Sequence, residues 1–236
     1  MPKVSSNDKT DLYHPLSKVT CYLWGSMNNK PSIDELEDGP AYEKVLTLPY
    51  DDLAPFVISG LRTLTLPMML VWTVAIVFAA LTLFLWPRSG GTHEHQGILT
   101  GLAAGLILIP LLLVPLHELL HLIPFRLAGA RDIRVGADLR QGIVYVTAHR
   151  FVAGFNLFAV VALTPFLLIT ASMVAVMFFV PPWWQWVLTL ALLAHTTMCA
   201  GDAALLGHLG QYRGRKVYTW DDADKKEAYF YASKIT

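Results

Sequence analysis

Residues 117–121 of this chain read His-Glu-Leu-Leu-His. On a helix, positions i and i+4 share a face one turn apart. The His117 and His121 imidazoles can therefore grip one metal ion from the same side. Glu118 stands beside the first of them, where a carboxylate can take a proton from a water molecule. Two histidines and a glutamate at this spacing form the arrangement used by zinc hydrolases. In such sites the metal lowers the pKa of water and polarises a carbonyl. The glutamate acts as general base and passes the proton to the leaving amine. A chain of this composition would contain the pattern by chance roughly 0.007 times, so coincidence is a poor explanation.

A catalytic zinc needs a third protein ligand and an open fourth position. The other ionisable residues in long apolar stretches are His195, Asp202 and His208. Depth along the helices separates them. His117 and His121 precede Arg126 by nine and five residues, roughly 7–14 Å of helix. Asp202, counted back from Gly210, lies about 12 Å from the equivalent edge. His195 is about 10 Å deeper, and His208 is too near the edge. Asp202 is the expected third ligand, with Gly201 beside it allowing close approach. An ion pair between Asp202 and an arginine of the central loop is the competing reading. His195 shares a face with Asp202 and could orient a ligand or stabilise an oxyanion, although packing alone would also account for it. Cys199 reads as a small packing residue. His93-Glu94-His95 has i,i+2 spacing, which does not share a helix face, and reads as a solvated loop. His149 reads as incidental.

The elements that carry these residues are too apolar for an ordinary soluble domain. Of 236 residues, 54% are hydrophobic and 15% charged, against about 25% charged in an average soluble chain. The mean hydropathy is +0.46. The net charge of zero excludes a nucleic-acid binder driven by bulk positive charge. Cys21 and Cys199 provide neither a disulfide framework nor a cysteine zinc ribbon. The first 60 residues or so are polar, so no cleavable signal peptide is expected.

Four stretches are long enough to cross a bilayer as helices: about 66–86, 98–125, 157–180 and 183–209. Pro87-Arg88-Ser89-Gly90-Gly91 separates the first two. Pro181-Pro182, followed by Trp183, Trp184 and Trp186, separates the last two and resembles an interfacial belt. Residues 1–65, 126–150 and the segment after 210 carry seventeen Lys and Arg, whereas loop 87–97 carries only Arg88. Both termini and the central loop are therefore expected to face the cytoplasm, which places the chain in the cell (inner) membrane. The second helix contains Pro110 and Pro115, each of which frees a carbonyl one turn back. They imply a kink that either admits water or serves packing. After that helix, Ile133–Leu139 and Ile143–Thr147 alternate around Arg140-Gln141-Gly142 and predict a β-hairpin. Lys216–Trp220 and Glu227–Ala232 form a second candidate pair. Residues 1–50 predict irregular structure with at most one short helix, and 51–62 an interfacial helix or a linker.

The expected fold class is thus an α-helical integral membrane protein, with four transmembrane helices and a small cytoplasmic β-hairpin after the second. A cytoplasmic N-terminal segment (1–65) precedes the transmembrane metalloprotease domain (66–209), and a cytoplasmic tail (210–236) follows it.

His117-Glu118-Leu119-Leu120-His121 with Ile123-Pro124-Phe125, Thr164-Pro165 in the third helix, and Gly201-Asp202 in the last resemble the "Putative zincin peptidase" family of small bacterial membrane proteins. That family is similar in plan to the site-2-protease-like intramembrane zinc metalloproteases, in which an H-E-x-x-H helix is joined by an aspartate from a later helix. The resemblance covers about residues 60–235. It implies Zn²⁺ held by His117, His121 and Asp202, with Glu118 catalytic. It also implies a strand pair after the motif helix that serves as a substrate platform, which matches the 133–147 hairpin. The chain departs from the site-2 pattern at Cys199-Ala200-Gly201-Asp202-Ala203, which lacks the Asn-Pro of that motif.

The resulting expectation is a membrane-embedded zinc metalloprotease acting on membrane-embedded or membrane-proximal polypeptides, with the lipid bilayer as its setting and no nucleic-acid partner. The rival is a non-catalytic zinc-binding membrane protein, a structural clasp or sensor. A divalent-metal transporter fits less well, because the polar residues cluster near one face instead of tracing a path through the bilayer.

Overall fold

The computed structural model describes residues 30–86, 95–138, 143–212 and 214–235. The loop holding His93 and Glu94, the hairpin turn Arg140-Gln141-Gly142, and Cys21 lie outside the described residues.

The described chain is mostly helical, with two β-sheets at one end of the helices. In chain order the elements are α1 (Ile33–Glu37), β1 (Tyr42–Pro49), α2 (Leu53–Gly60), α3 (Leu66–Leu85), α4 (His95–Ala103), α5 (Ile109–Leu127), β2 (Ile133–Asp138), β3 (Ile143–Ala148), β4 (Ala153–Gly154), α6 (Phe155–Met177), α7 (Pro182–Met198), α8 (Ala200–Leu209), β5 (Val217–Asp222) and β6 (Glu227–Ser233). Four helical stretches are long and apolar enough to cross a membrane: Leu66–Leu85, Gly97–Leu127, Phe155–Met177 and Pro182–Tyr212.

The second stretch joins α4 to α5 through a π-helical segment, Ala104–Leu108, in which the Ile109 N–H bonds to the Ala104 carbonyl five residues back. Pro110 follows directly and has no N–H to offer the carbonyl one turn behind it, so the helix widens there instead of breaking. The widened turn packs tightly on α7. A Cβ at Gly105 would lie 2.6 Å from the Leu190 Cβ and 2.8 Å from the Val187 carbonyl oxygen. Of the two roles foreseen for this kink, packing is the one with contacts to support it.

The last stretch is not the single helix foreseen over 183–209. It breaks at Cys199, where α7 ends and α8 begins. The side chains of Thr196, Thr197 and Cys199 each bond a carbonyl three or four residues back, and such bonds bend helices. The break places Asp202 in the first turn of α8, where the helix dipole favours a negative charge.

The N-terminal segment also departs from the expected irregular structure. α1 is a single short helix closed by a capping box between Ser32 and Glu35. Tyr42–Pro49, however, is a strand. It pairs antiparallel with β6, with a register shift between Lys44 and Leu46. The extra residue breaks the period-two alternation by which a strand is read from sequence. The sheet runs β1-β6-β5-β4, so the tail does not stand apart: it is bound on one side to a strand that precedes all four long apolar helical stretches. β2 and β3 form the separate hairpin, with Val135 opposite Val146.

One face of the four-stranded sheet carries Leu48, Val217, Ala228, Phe230 and Ala232, which pack with Leu209 and the flanking Phe155 and Phe158 of the helices. The other face carries Trp220, Tyr229 and Tyr231 under Leu36 of α1. The sheet is thereby clamped across the helix ends nearest residues 117–121.

Candidate metal centre

His117 and His121 are buried on one face of α5, at 4% and 8% exposure, against α6, α7 and α8. The His117 Nε2 lies 3.2 Å from Asp202 Oδ2, and the His121 Nε2 lies 3.6 Å from Asp202 Oδ1. Zinc holds nitrogen and oxygen ligands at about 2.0–2.1 Å in a tetrahedron, which puts neighbouring ligand atoms about 3.3 Å apart. The two separations bracket that edge length, so the donor set fits a small divalent cation. Among the described residues Asp202 pairs with the histidines and with no arginine. The foreseen need for Gly201 as a point of close approach is not met, since a Cβ there would rest 3.6 Å from Val57 Cγ2, an ordinary contact.

The opposite ring nitrogens are engaged as well. His121 Nδ1 lies 2.9 Å from the Val161 carbonyl oxygen, so it carries a proton and donates it, leaving Nε2 as the free lone pair. The carbonyl is available because of Pro165, four residues on in α6, which lacks the N–H that would otherwise claim it. Thr164-Pro165 thus has a local physical meaning that the sequence pattern alone did not reveal. His117 Nδ1 lies 3.4 Å from Nε2 of His195. His195 is fully buried, and its Nδ1 has no hydrogen-bond partner among the described residues. It reaches the motif from α7, one layer behind the candidate ligands.

Glu118 points into a cavity of about 490 Å³ that His117, His121 and Asp202 also line. The backbone N–H of Val146 in β3 lies beside the Glu118 carboxylate. The hairpin therefore touches the candidate general base through its main chain, a contact that residue patterns do not show. Much of the remaining wall is apolar, formed by Leu53, Val57, Phe125, Val144, Phe158 and Phe230 among others, and it also includes Tyr50, Thr147 and Asp221.

Two further groupings have metal-ligand spacing. His117, His195 and Cys199 share His117 with the first set, but neither His195 nor Cys199 lines the cavity. His149, Asp222 and Asp224 already have partners: the His149 Nδ1 accepts the Ala223 N–H, Asp222 Oδ1 accepts the Asp224 and Lys225 N–H groups, and Asp224 pairs with Arg134. His208 stacks edge-on against Phe56 and Tyr212, away from the cavity.

A family model described as "Putative zincin peptidase" matches residues 110–215, a little under half of the chain. The matched region runs from Pro110 of the motif helix past the end of α8, so it holds all four of Glu118, His117, His121 and Asp202. The match supports a zincin-like peptidase, and with it metallopeptidase activity and zinc as the metal. No curated protein and no solved structure matches the chain.

Proposed function

We propose that this protein is a membrane-embedded zinc metalloprotease that hydrolyses peptide bonds of membrane or membrane-proximal polypeptides. The observation that carries the reading is the approach of His117 Nε2, His121 Nε2 and the Asp202 carboxylate to within 4.8 Å of one another on the wall of a cavity that also holds Glu118. His117, His121 and Asp202 would hold the metal. When bound, zinc supplies a Lewis acid that acidifies water and polarises a carbonyl.

The remaining work falls to the chain. Glu118 takes a proton from the attacking water and returns it to the departing nitrogen. The Val146 N–H stands beside that carboxylate. Because this N–H points away from β2, the alternation of an antiparallel ladder turns the backbone of Val144 to the same side. An extended polypeptide laid along this edge gains main-chain hydrogen bonds, a recurring mode of peptide capture. A peptide bond inside a helix is hidden, and edge pairing draws it out.

The bilayer setting is supported by the four long apolar helices and by the large apolar side chains they expose, among them Ile76, Leu83, Ile107 and Leu111. The excess of Lys and Arg outside loop 87–97 supports an inner-membrane protein with both termini cytoplasmic. The site-2-like plan rests on the same pair of elements, a His-Glu-x-x-His helix and an aspartate from the last span. A closed structural clasp needs a filled fourth position, and an open cavity beside the triad argues against one.

The test is Glu118→Gln in the purified full chain. Metal content by elemental analysis should remain near one zinc per chain, while cleavage of a membrane-peptide substrate disappears. Asp202→Ala should lower zinc occupancy. A wild-type protein that holds no metal refutes the proposal.

A further inference from the structure

The cavity has a second set of polar residues. Besides the histidines, Glu118 and Asp202, its lining includes Tyr50, Thr147 and Asp221. Residues of β5 alternate between faces: Val217 packs toward the helices and Trp220 toward α1, so Asp221 shares the helix-facing side with Val217 and Thr219. The Thr147 hydroxyl stands beside the Asp221 carboxylate and the Tyr50 hydroxyl.

Among the described residues the lining holds three carboxylates, Glu118, Asp202 and Asp221, and no lysine or arginine. A divalent cation at the histidines balances Asp202 and Glu118, and leaves Asp221 unmatched. Among the described residues no arginine or lysine pairs with it. Arg150 gives only its backbone N–H to the Asp221 carbonyl, and its guanidinium lies over the Trp220 ring. His149 is the nearest titratable cation, but its ring is engaged by Ala223 N–H and faces Asp224. The remaining neighbours, Tyr50 and Tyr145, are neutral phenols. Burial pushes the Asp221 carboxyl up to about 6, which measures how poorly the empty wall supports its charge.

We propose that Asp221, with Thr147 and Tyr50 beside it, is a subsite for a cationic side chain of the substrate polypeptide, a lysine or arginine close to the bond that is cut. The inference rests on the metalloprotease reading and names its substrate class. Thr147 follows Val146, which lies beside Glu118, so the basic residue lies near the bond that is cut along an extended chain. Lysine and arginine flank the cytoplasmic ends of membrane helices, so such a subsite selects polypeptides at that boundary. Apolar substrate side chains would meet the apolar part of the wall, which includes Leu53, Val57 and Phe158.

The experiment uses the full chain in detergent micelles, loaded with zinc, and fluorescein-labelled Ala/Leu decapeptides that carry one Lys, Gln or Glu at a scanned position. Binding to the Glu118→Gln variant is read by anisotropy, and cleavage by the wild type is read in parallel. At one position the Lys peptide should bind about tenfold tighter than the Gln peptide, the scale of one charge-assisted hydrogen bond. Asp221→Asn should abolish the difference, and Asp221→Arg should transfer the preference to the Glu peptide, while zinc content stays constant in both. Equal binding of Lys and Gln peptides at every position, a preference that survives Asp221→Asn, or no binding of any peptide overturns the subsite. Peptides that bind with the lysine preference but are never cleaved by the wild type refute the protease and leave the subsite standing. Cleavage at equal kcat/KM for Lys and Gln peptides does the reverse.

Discussion

At the scale of residues, the site is a relay of ring nitrogens with fixed directions. His121 donates from Nδ1 to Val161, and His117 has His195 behind it. With Nε2 of His117 as a ligand, its Nδ1 carries the proton and donates to His195 Nε2. Outer partners of this kind are worth about 10–100-fold in metal affinity. His195→Leu, of similar volume, should weaken zinc binding by roughly tenfold or more in competition titrations against a chelator. His195→Gln, which keeps an acceptor, should recover part of the loss. If Leu and Gln variants bind zinc alike, His195 only fills space. The sequence made the two histidines and the glutamate plain, because four-residue spacing has one meaning on a helix. It left His195 undecided, since no local pattern says which buried ring stands behind another.

At the scale of elements, prolines and a helix break do the positioning. Pro165 withholds an N–H so that the Val161 carbonyl can receive His121. Pro165→Ala restores a competing donor and should cost about threefold to tenfold in zinc affinity, with helix content by circular dichroism unchanged or slightly raised. Unchanged affinity would mean that the imidazole holds the carbonyl regardless. The helical stretches were legible in the sequence from uninterrupted apolar length, β2 and β3 from their alternation, and β5 and β6 as a candidate pair around Asp221-Asp222-Ala223-Asp224. β1 was not, because the register shift between Lys44 and Leu46 spoils the alternation over an eight-residue segment. The break at Cys199 was equally hidden. It arises from side-chain bonds of Thr196, Thr197 and Cys199, residues that hydropathy scores as compatible with a continuous helix.

At the scale of the whole molecule, the cavity is assembled from distant parts of the chain. Its wall takes Leu48 and Tyr50 from before the first span, Glu118 and Val146 from the middle, and Asp221 and Phe230 from the end. The region 110–215 matched by the zincin family therefore lacks part of the enclosure, including Leu48, Tyr50, Asp221 and Phe230. The pairing of β1 with β6 stitches the first and last described strands together across seven register positions, and α3 packs along α7 and α8. These contacts make the chain divisible without being separable. Two polypeptides, severed within residues 87–94 and produced together, should find each other in the bilayer and co-purify at one to one. Disrupting the strand partnership with Leu46→Pro, which removes a ladder donor, should release the shorter piece. The piece that precedes the second apolar stretch would then act as a detachable subunit, and its presence or absence would decide whether the cavity keeps the part of its wall that Leu48 and Tyr50 supply.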